Sequence, residues 1–446
     1  MEKNIALANG WNFTREDYYY AQAQGQVLTV QMEGGSYCLL NCLYCFRRHT
    51  FIGKTKEKIA TMGEQLHQIE NPTPQDIIDL IDGNKNKNTI KRYINNYFER
   101  RRKNQINRSN KQMSLKESLN LIDIAADMGA QTINIIGAGE PLTDPHMQKM
   151  IQRINEKNMV PVIFTNGVML SEDNNWIDFL WDNNATVILK FNSFKAEIQD
   201  FLAWRPGYTE LRDVAKDKLI AKGFNQPGIW NNREFDTRMG IDSIVAKVNQ
   251  SEIIDIFRMC IEEKLMPIIT TFIPAGRTEK EIGNWELTKN EFLELQLEIR
   301  DKIVREMGVD FSVLENGLLR PYLGGVDCTQ CGPWSFYVTI DGNIYECPAQ
   351  EHPVGSIYDI TAGNNPKTNT KIITKKTMRK SIKQAFGEIR KTDPNVICPP
   401  RGNRWEHEMN GKMNILRKRK SNINPCNSCG GECPLQTKEI IKKIIK

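Results

Sequence analysis

Two textures of apolar residues alternate along this chain: short runs of the β type, and stripes at helical spacing. Six runs read as strands: Gln26 to Met32, Thr132 to Ile136, Val160 to Phe164, Ala185 to Phe191, Met239 to Val245 and Met266 to Phe272. Amphipathic stretches lie between them. Ser114 to Met128 is one: Ser114 and Glu117 have the spacing of a capping box, and Leu115, Leu119, Ile122 and Ala126 recur at helical spacing. Alternating strands and helices predict a parallel sheet with right-handed crossovers. Six units are fewer than the eight of a closed barrel. The expected fold class is therefore α/β, a partial, TIM-like (βα)6 barrel with ligands at the carboxyl ends of its strands.

The rhythm breaks twice. An insertion over about 51–112 separates the first strand from the helix at Ser114, where such connections usually run about two to six residues. It carries a basic stretch from Lys85 to Lys111 that includes Arg100, Arg101 and Arg102. A solvated helical face is the plain reading of that stretch, and a lid or a docking surface for an anionic partner the sharper one. Tyr93, Tyr97 and Phe98 fall at helical spacing and look like packing rather than a base-stacking platform, so nucleic acid is not an expected partner. The second break comes between 308 and 327, beyond which the strand–helix pattern fades. The expected domains are an N-terminal extension over 1–25, the barrel over 26–310, and a small cysteine-rich α+β domain over 311–446.

Composition narrows the class. Hydrophobic residues at 40% and charged residues at 26% fit a folded globular chain rather than a disordered one. No apolar run approaches the roughly 20 residues of a membrane helix, and Met1 to Trp11 does not read as a secretory signal. A cytoplasmic location without membrane association is expected. The net charge of +6 is modest and implies no polyanionic partner by itself. In a reducing compartment, clustered thiols read as metal ligands rather than disulfides. Of the eleven cysteines, Cys260 stands alone and follows Ile253, Ile254, Ile256 and Phe257 in a helical pattern, so it is read as an ordinary buried thiol.

Cys38, Cys42 and Cys45 form a C-x3-C-x2-C loop just after the first strand, preceded by Gly34 and Gly35. Zinc would normally take a fourth ligand, and only His49 is placed nearby. The alternative is an iron–sulfur cluster held by three thiolates, which leaves one iron open. The run Cys38-Leu-Leu-Asn-Cys42-Leu-Tyr-Cys45 resembles the signature of the radical S-adenosylmethionine superfamily, with Tyr44 at its aromatic position. Ile135-Ile136-Gly137-Ala138-Gly139-Glu140-Pro141-Leu142 resembles that family's Gly-Gly-Glu-Pro motif, with Ala138 as a departure in the glycine run. The resemblance covers Gln26 to Ile273. It implies a [4Fe-4S] cluster on Cys38, Cys42 and Cys45 that binds S-adenosylmethionine at its open iron. One electron then breaks a carbon–sulfur bond to leave a 5′-deoxyadenosyl radical. It also implies cofactor contacts at Tyr44, Gly137, Gly139 and Glu140, the turn holding the cofactor's amino group. Thr165-Asn166-Gly167 resembles the family's Thr-Asn-Gly turn, and Asn192 and Ser193, at the end of the fourth strand, are carried as further cofactor contacts; turn-forming and capping roles are the alternative.

Seven more thiols follow: Cys328, Cys331, Cys347, Cys398, Cys426, Cys429 and Cys433. Ile340-Asp341-Gly342-Asn343-Ile344-Tyr345 before Cys347 signals a hairpin. A zinc knuckle is one reading. The pattern Cys331-x10-Gly342-x4-Cys347 followed by C-x2-C-x3-C resembles the SPASM and twitch domains, although one cysteine of the full SPASM run is missing. That resemblance implies one or two auxiliary [4Fe-4S] clusters. It further implies a reductant such as flavodoxin or ferredoxin, and hydrogen abstraction from a substrate that is a peptide or protein. A small-molecule substrate, sugar or aminoglycoside-like, is the runner-up, RNA modification a distant one, and a non-catalytic iron–sulfur carrier the reading from another class. A mere carrier has no use for the Gly-Glu-Pro turn.

Overall fold

The computed structural model describes residues 5–35, 37–40, 42–45, 112–271, 334–346, 348, 352–364 and 372–391, with isolated positions between 287 and 302. The expected basic stretch and the seven C-terminal cysteines from Cys328 to Cys433 lie outside the described residues, as does the boundary expected between 308 and 327.

All six anticipated strands form, each within about three residues of its expected bounds. They are β1 (Thr29–Gly34), β2 (Thr132–Gly137), β3 (Val160–Thr165), β4 (Thr186–Lys190), β7 (Met239–Val245) and β8 (Met266–Thr271). They lie side by side in that order and every pair is parallel, as alternating strand–helix units require. The hairpin β5 (Gly228–Trp230) and β6 (Arg233–Phe235) stands apart from this sheet. Its two turn residues, Asn231 and Asn232, both have positive φ, the backbone a tight two-residue hairpin needs.

The sheet does not stop at β1. Strand β9 (Ser335–Val338) pairs in parallel with β1, and β10 (Asn343–Tyr345) folds back on β9 around the predicted Asp341–Gly342 turn. Strand β11 (Gly355–Ser356) ends that side. Among the described residues, then, the chain after the expected boundary continues the barrel's sheet. Glu33 explains the join. It is buried on β1, and its carboxylate accepts the Tyr337 hydroxyl and, at 2.9 Å, the Ile340 amide. A buried carboxylate must be paired, and this hairpin brings it those donors.

The helices in chain order are α1 (Arg15–Gln24), α2 (Leu115–Asp127), α3 (Met147–Glu156), α4 (Val168–Glu172), α5 (Asn174–Asp182), α6 (Ala196–Ala203), α7 (Tyr208–Lys222), α8 (Ile253–Glu262) and α9 (Lys375–Ile389). Helix α2 carries the expected capping box from Ser114 to Glu117. Its buried face runs through Ser118, Leu121, Ile122 and Ala125, so the anticipated Leu115, Leu119 and Ala126 sit at the edge of the stripe. Helix α3 packs beside α2, and α9 packs on α2 from the C-terminal side. Asp123 ties the three together, accepting from Arg153 at 2.7 Å and from Lys375 at 2.7 Å. Burial alone would raise its carboxyl, but the hydrogen bonds and charges of Arg153 and Lys375 outweigh it and hold it at about 2. Cys260, on α8, is fully buried as expected, and burial pushes its thiol far above the ordinary range.

Because the folded Asp123 carboxyl lies below its unfolded value, its contribution is complete at neutral pH. It fades as pH falls from about 4 towards 2. Asp123→Ala should lower unfolding stability at pH 7 by about 1.5–3 kcal/mol. The gap between variant and wild type in denaturant melts should close over that acidic window; a gap that persists at pH 2 would show the packing of α9 to be independent of this charge.

Candidate active site

The carboxyl ends of β1, β2, β3 and β4 converge beneath the cysteine loop, and the loop is seated on them by backbone. Glu140 N–H donates to the Tyr37 carbonyl at 2.6 Å, and the Thr143 hydroxyl donates to the same oxygen at 3.1 Å. Gly35 N–H donates to the Asp144 carboxylate at 2.9 Å. This closeness explains the glycines. A Cβ on Gly139 would lie 2.3 Å from the Tyr37 carbonyl oxygen, and one on Gly137 would lie 1.6 Å from the Gly139 carbonyl oxygen. Gly35 has φ +69°, and a Cβ there would meet the Glu140 carbonyl at 2.4 Å. Ala138, between the two glycines, is itself buried.

Side chains finish the seat. Tyr37, Leu39 and Leu40 pack with Val168 and Tyr208, the latter at the start of α7. Leu43 and Tyr44 pack with Ile198, Phe201 and Leu202 of α6. Leu43 N–H also donates to the Leu202 carbonyl at 2.9 Å. The Tyr44 ring lies 5.2 Å from the Lys190 ammonium, which is bonded to Asp242 at 2.7 Å across the β4–β7 register.

Glu140 sits at the centre and is 2% exposed. Its carboxylate accepts the Thr165 hydroxyl at 2.6 Å, the Asn166 amide at 2.9 Å and the Leu142 amide at 3.2 Å. Burial raises its carboxyl to about 7 against the pull of those three donors. Both oxygens are thus engaged within the protein. The Glu140 carboxylate thereby locks the ends of β2 and β3 together. Asn166 extends the lock, its side-chain oxygen capping Val168 N–H at 3.0 Å and its amide directed at the Cys38 sulfur at 3.8 Å.

Ser193 lies just past the end of β4. It is fully buried, and its hydroxyl donates to the Glu252 carboxylate at 2.8 Å. Asn192 accepts the Ile244 amide at 2.9 Å, while its own side-chain nitrogen is buried without a hydrogen-bond partner, beside the Tyr44 hydroxyl. Arg205 was missed by the sequence reading. Its guanidinium donates to the Leu39 carbonyl at 3.4 Å and its charge reaches Cys38. No sequence signal marks it, because α6 ends at Trp204 in a left-handed conformation, φ +51°, that turns the next residue back on the loop.

Cys38, Cys42 and Cys45 are half-buried and unbridged. Burial, with added repulsion from Cys42, Glu140 and Cys45, pushes the Cys38 thiol well up. Leu40 N–H donates to the Cys38 sulfur at 3.4 Å. Among the described residues no three His, Cys, Asp or Glu side chains are arranged to chelate a single metal ion. Three soft thiols on one loop, with amide donors directed at sulfur, fit an iron–sulfur cluster.

Gly139→Ala should unseat this loop at a cost of about 1–3 kcal/mol. Ala138→Gly should leave the loop in place. Iron retained after anaerobic reconstitution and gel filtration, compared between the two variants, checks this; equal retention would mean the seat tolerates a Cβ.

Residues 32–232 match the family model described as Radical SAM superfamily. A curated relative, the S-adenosylmethionine-dependent nucleotide dehydratase of Flammeovirga pacifica, is 22% identical over 188 residues. That match covers 40% of this chain, and the chain spans 58% of the relative's length. Among solved structures, Streptococcus suis SuiB bound to S-adenosylmethionine has a TM-score of 0.46 at 13% identity, over 87% of this chain and 75% of that one. The anSMEcpe enzyme with bound AdoMet and Cp18Cys peptide has a TM-score of 0.42 at 15% identity, over 75% of this chain and 78% of that one. The cysteine loop and the Gly137–Glu140 turn on which it is seated both lie inside the span that matches the Radical SAM superfamily model.

Proposed function

We propose that this enzyme reductively cleaves S-adenosylmethionine at a [4Fe-4S] cluster on Cys38, Cys42 and Cys45 and abstracts hydrogen from a substrate. The observation that carries this reading is the backbone seat of the cysteine loop on the turn after β2, which fixes three thiols over the strand ends. When bound, the cluster and its cofactor supply the one-electron cleavage that yields a 5′-deoxyadenosyl radical. The chain's own residues orient and shield. Tyr37 and the Gly137–Glu140 turn hold the loop, Asn166 and Leu40 donate towards the Cys38 sulfur, and Arg205 adds positive charge beside it. With the Glu140 carboxylate engaged, the turn's backbone is left to meet the cofactor's amino group. The orphan Asn192 amide beside Tyr44 is the further candidate contact.

The substrate is a peptide or protein in our first reading, on the SPASM-like spacing of the C-terminal cysteines. The second reading is a small molecule, and here the relative named a nucleotide dehydratase favours a nucleotide. The cysteines Cys328, Cys331, Cys347, Cys398, Cys426, Cys429 and Cys433 hold at least one auxiliary cluster in this proposal, and a flavodoxin or ferredoxin supplies the electrons.

Reconstituted and reduced without oxygen, the wild type should form 5′-deoxyadenosine, and the triple variant Cys38→Ala, Cys42→Ala, Cys45→Ala should form none. Cleavage by the triple variant would sink the assignment. Consumption of a nucleotide coupled to 5′-deoxyadenosine formation would move the nucleotide reading to first place.

Iron should exceed about four atoms per chain and should fall by about one cluster's worth when Cys426, Cys429 and Cys433 are all replaced by Ala. Stoichiometric zinc in place of that extra iron would identify a structural zinc knuckle.

A further inference from the structure

The expected N-terminal extension is not an appendage. Residues 5–13 cross the amino ends of the strands, opposite the cysteine loop. Asn9 N–H donates to the Thr237 carbonyl at 2.9 Å and Ala8 forms a parallel bridge with Thr237, just before β7. The chain then turns: Trp11 N–H returns to the Ala8 carbonyl at 2.9 Å, with Gly10 at φ +81°. The first residues of β2 and β4 grip this turn, Thr132 donating to the Gly10 carbonyl at 2.9 Å and Thr186 to the Asn9 carbonyl at 2.8 Å. A Cβ on Gly10 would lie 2.9 Å from the Val160 side chain, at the start of β3. The Trp11 indole N–H reaches Asn134 at 2.7 Å, and its ring packs 5.6 Å from the Phe164 ring.

These contacts share one face. Side chains alternate along a strand, and the registers Asn134↔Val162 and Val162↔Thr186 put Thr132, Asn134, Val160, Phe164 and Thr186 on the same side of the sheet. Lys190, which meets Tyr44 of the cysteine loop, is on that side too. Tyr44 and the Ala8–Trp11 turn therefore bracket one face of the sheet, and four residue steps along β4 take Thr186 to Lys190, about 13 Å.

We propose that the Ala8–Trp11 turn is the floor of the reaction chamber, with Trp11 as the positioning residue that closes the amino end of the open barrel. This rests on the radical reading above. A radical that takes hydrogen from almost any carbon needs a chamber sealed against small molecules, and an open sheet of parallel strands has two mouths. The turn shuts the amino mouth, so substrate and small solutes reach the cysteine loop only from the carboxyl side. The Asn134 acceptor keeps the indole from swinging out.

Two measurements test it. Hydrogen exchange on the full chain without cofactor should show the amides of Asn9 and Trp11 protected with the barrel core; free exchange there overturns the proposal whatever the chemistry proves to be. The second runs cofactor cleavage without substrate in perdeuterated glycerol. The radical breaks a glycerol C–D bond and forms a C5′–D bond, leaving a glycerol carbon radical, so deuterium in 5′-deoxyadenosine reports glycerol entry. Trp11→Gly should raise that deuterium fraction roughly threefold or more, and Trp11→Phe and Asn134→Ala, which each lose the indole hydrogen bond but keep a ring in place, should fall between it and wild type. Wild-type labelling in both Trp11→Gly and Asn134→Ala overturns the floor. If Trp11→Gly fails to hold iron, Asn134→Ala is judged by the same criterion. No 5′-deoxyadenosine from the wild type would instead sink the radical reading, and the exchange result would then decide the placement of the turn.

Discussion

The site depends on one steric constraint: two backbones pressed together where no side chain fits. The Glu140 amide meets the Tyr37 carbonyl at 2.6 Å, and the glycines at 35 and 139 are what let the segments approach. Everything placed over the strand ends inherits its position from that contact. Among its described residues the cysteine loop forms no helix or strand, and its seat is the turn after β2. Apolar anchors, Leu39 and Leu40 on one side and Leu43 and Tyr44 on the other, then spread the loop over α6 and α7.

Buried carboxylates do the joining elsewhere. Glu140 takes donors from β3 and its own turn, Glu33 takes donors from the β9–β10 hairpin, and Glu252 takes the Ser193 hydroxyl beside the end of β4. Each is costly to bury and is stabilised only by a particular set of donors. Each therefore selects one arrangement of neighbouring segments over slightly shifted ones. The raised carboxyl of Glu140 records how strongly that position is desolvated. Asp123 is the contrasting case: near the surface and ringed by cations, it is held down and fastens α9 to the barrel helices.

Much of the fold was legible because it follows from periodicity. A β-type run flanked by helical stripes has few ways to bury its apolar residues, and β7 (Met239–Val245) appears with the bounds its pattern gave. The capping box at Ser114 and the hairpin at Asp341–Gly342 were legible for the same reason, since their chemistry is local. The grouping of Cys38, Cys42 and Cys45 on one loop was legible from spacing alone.

What the sequence by itself determined is the six parallel strands, their order, and the grouping of the thiols. Only the tertiary structure decided which polar groups are already spoken for. Glu140 and Ser193 are strand-end polar residues in one dimension, and the partners that hold them, Thr165, Asn166 and Glu252, lie 25 to 59 residues away in the chain. Trp11 looked like part of a terminal extension until Asn134, 123 residues on, supplied its acceptor. Arg205 became visible only through the left-handed turn at Trp204. Periodicity is a property of neighbours, whereas the pairing of a buried polar group depends on what the folded chain brings within about 3 Å of it.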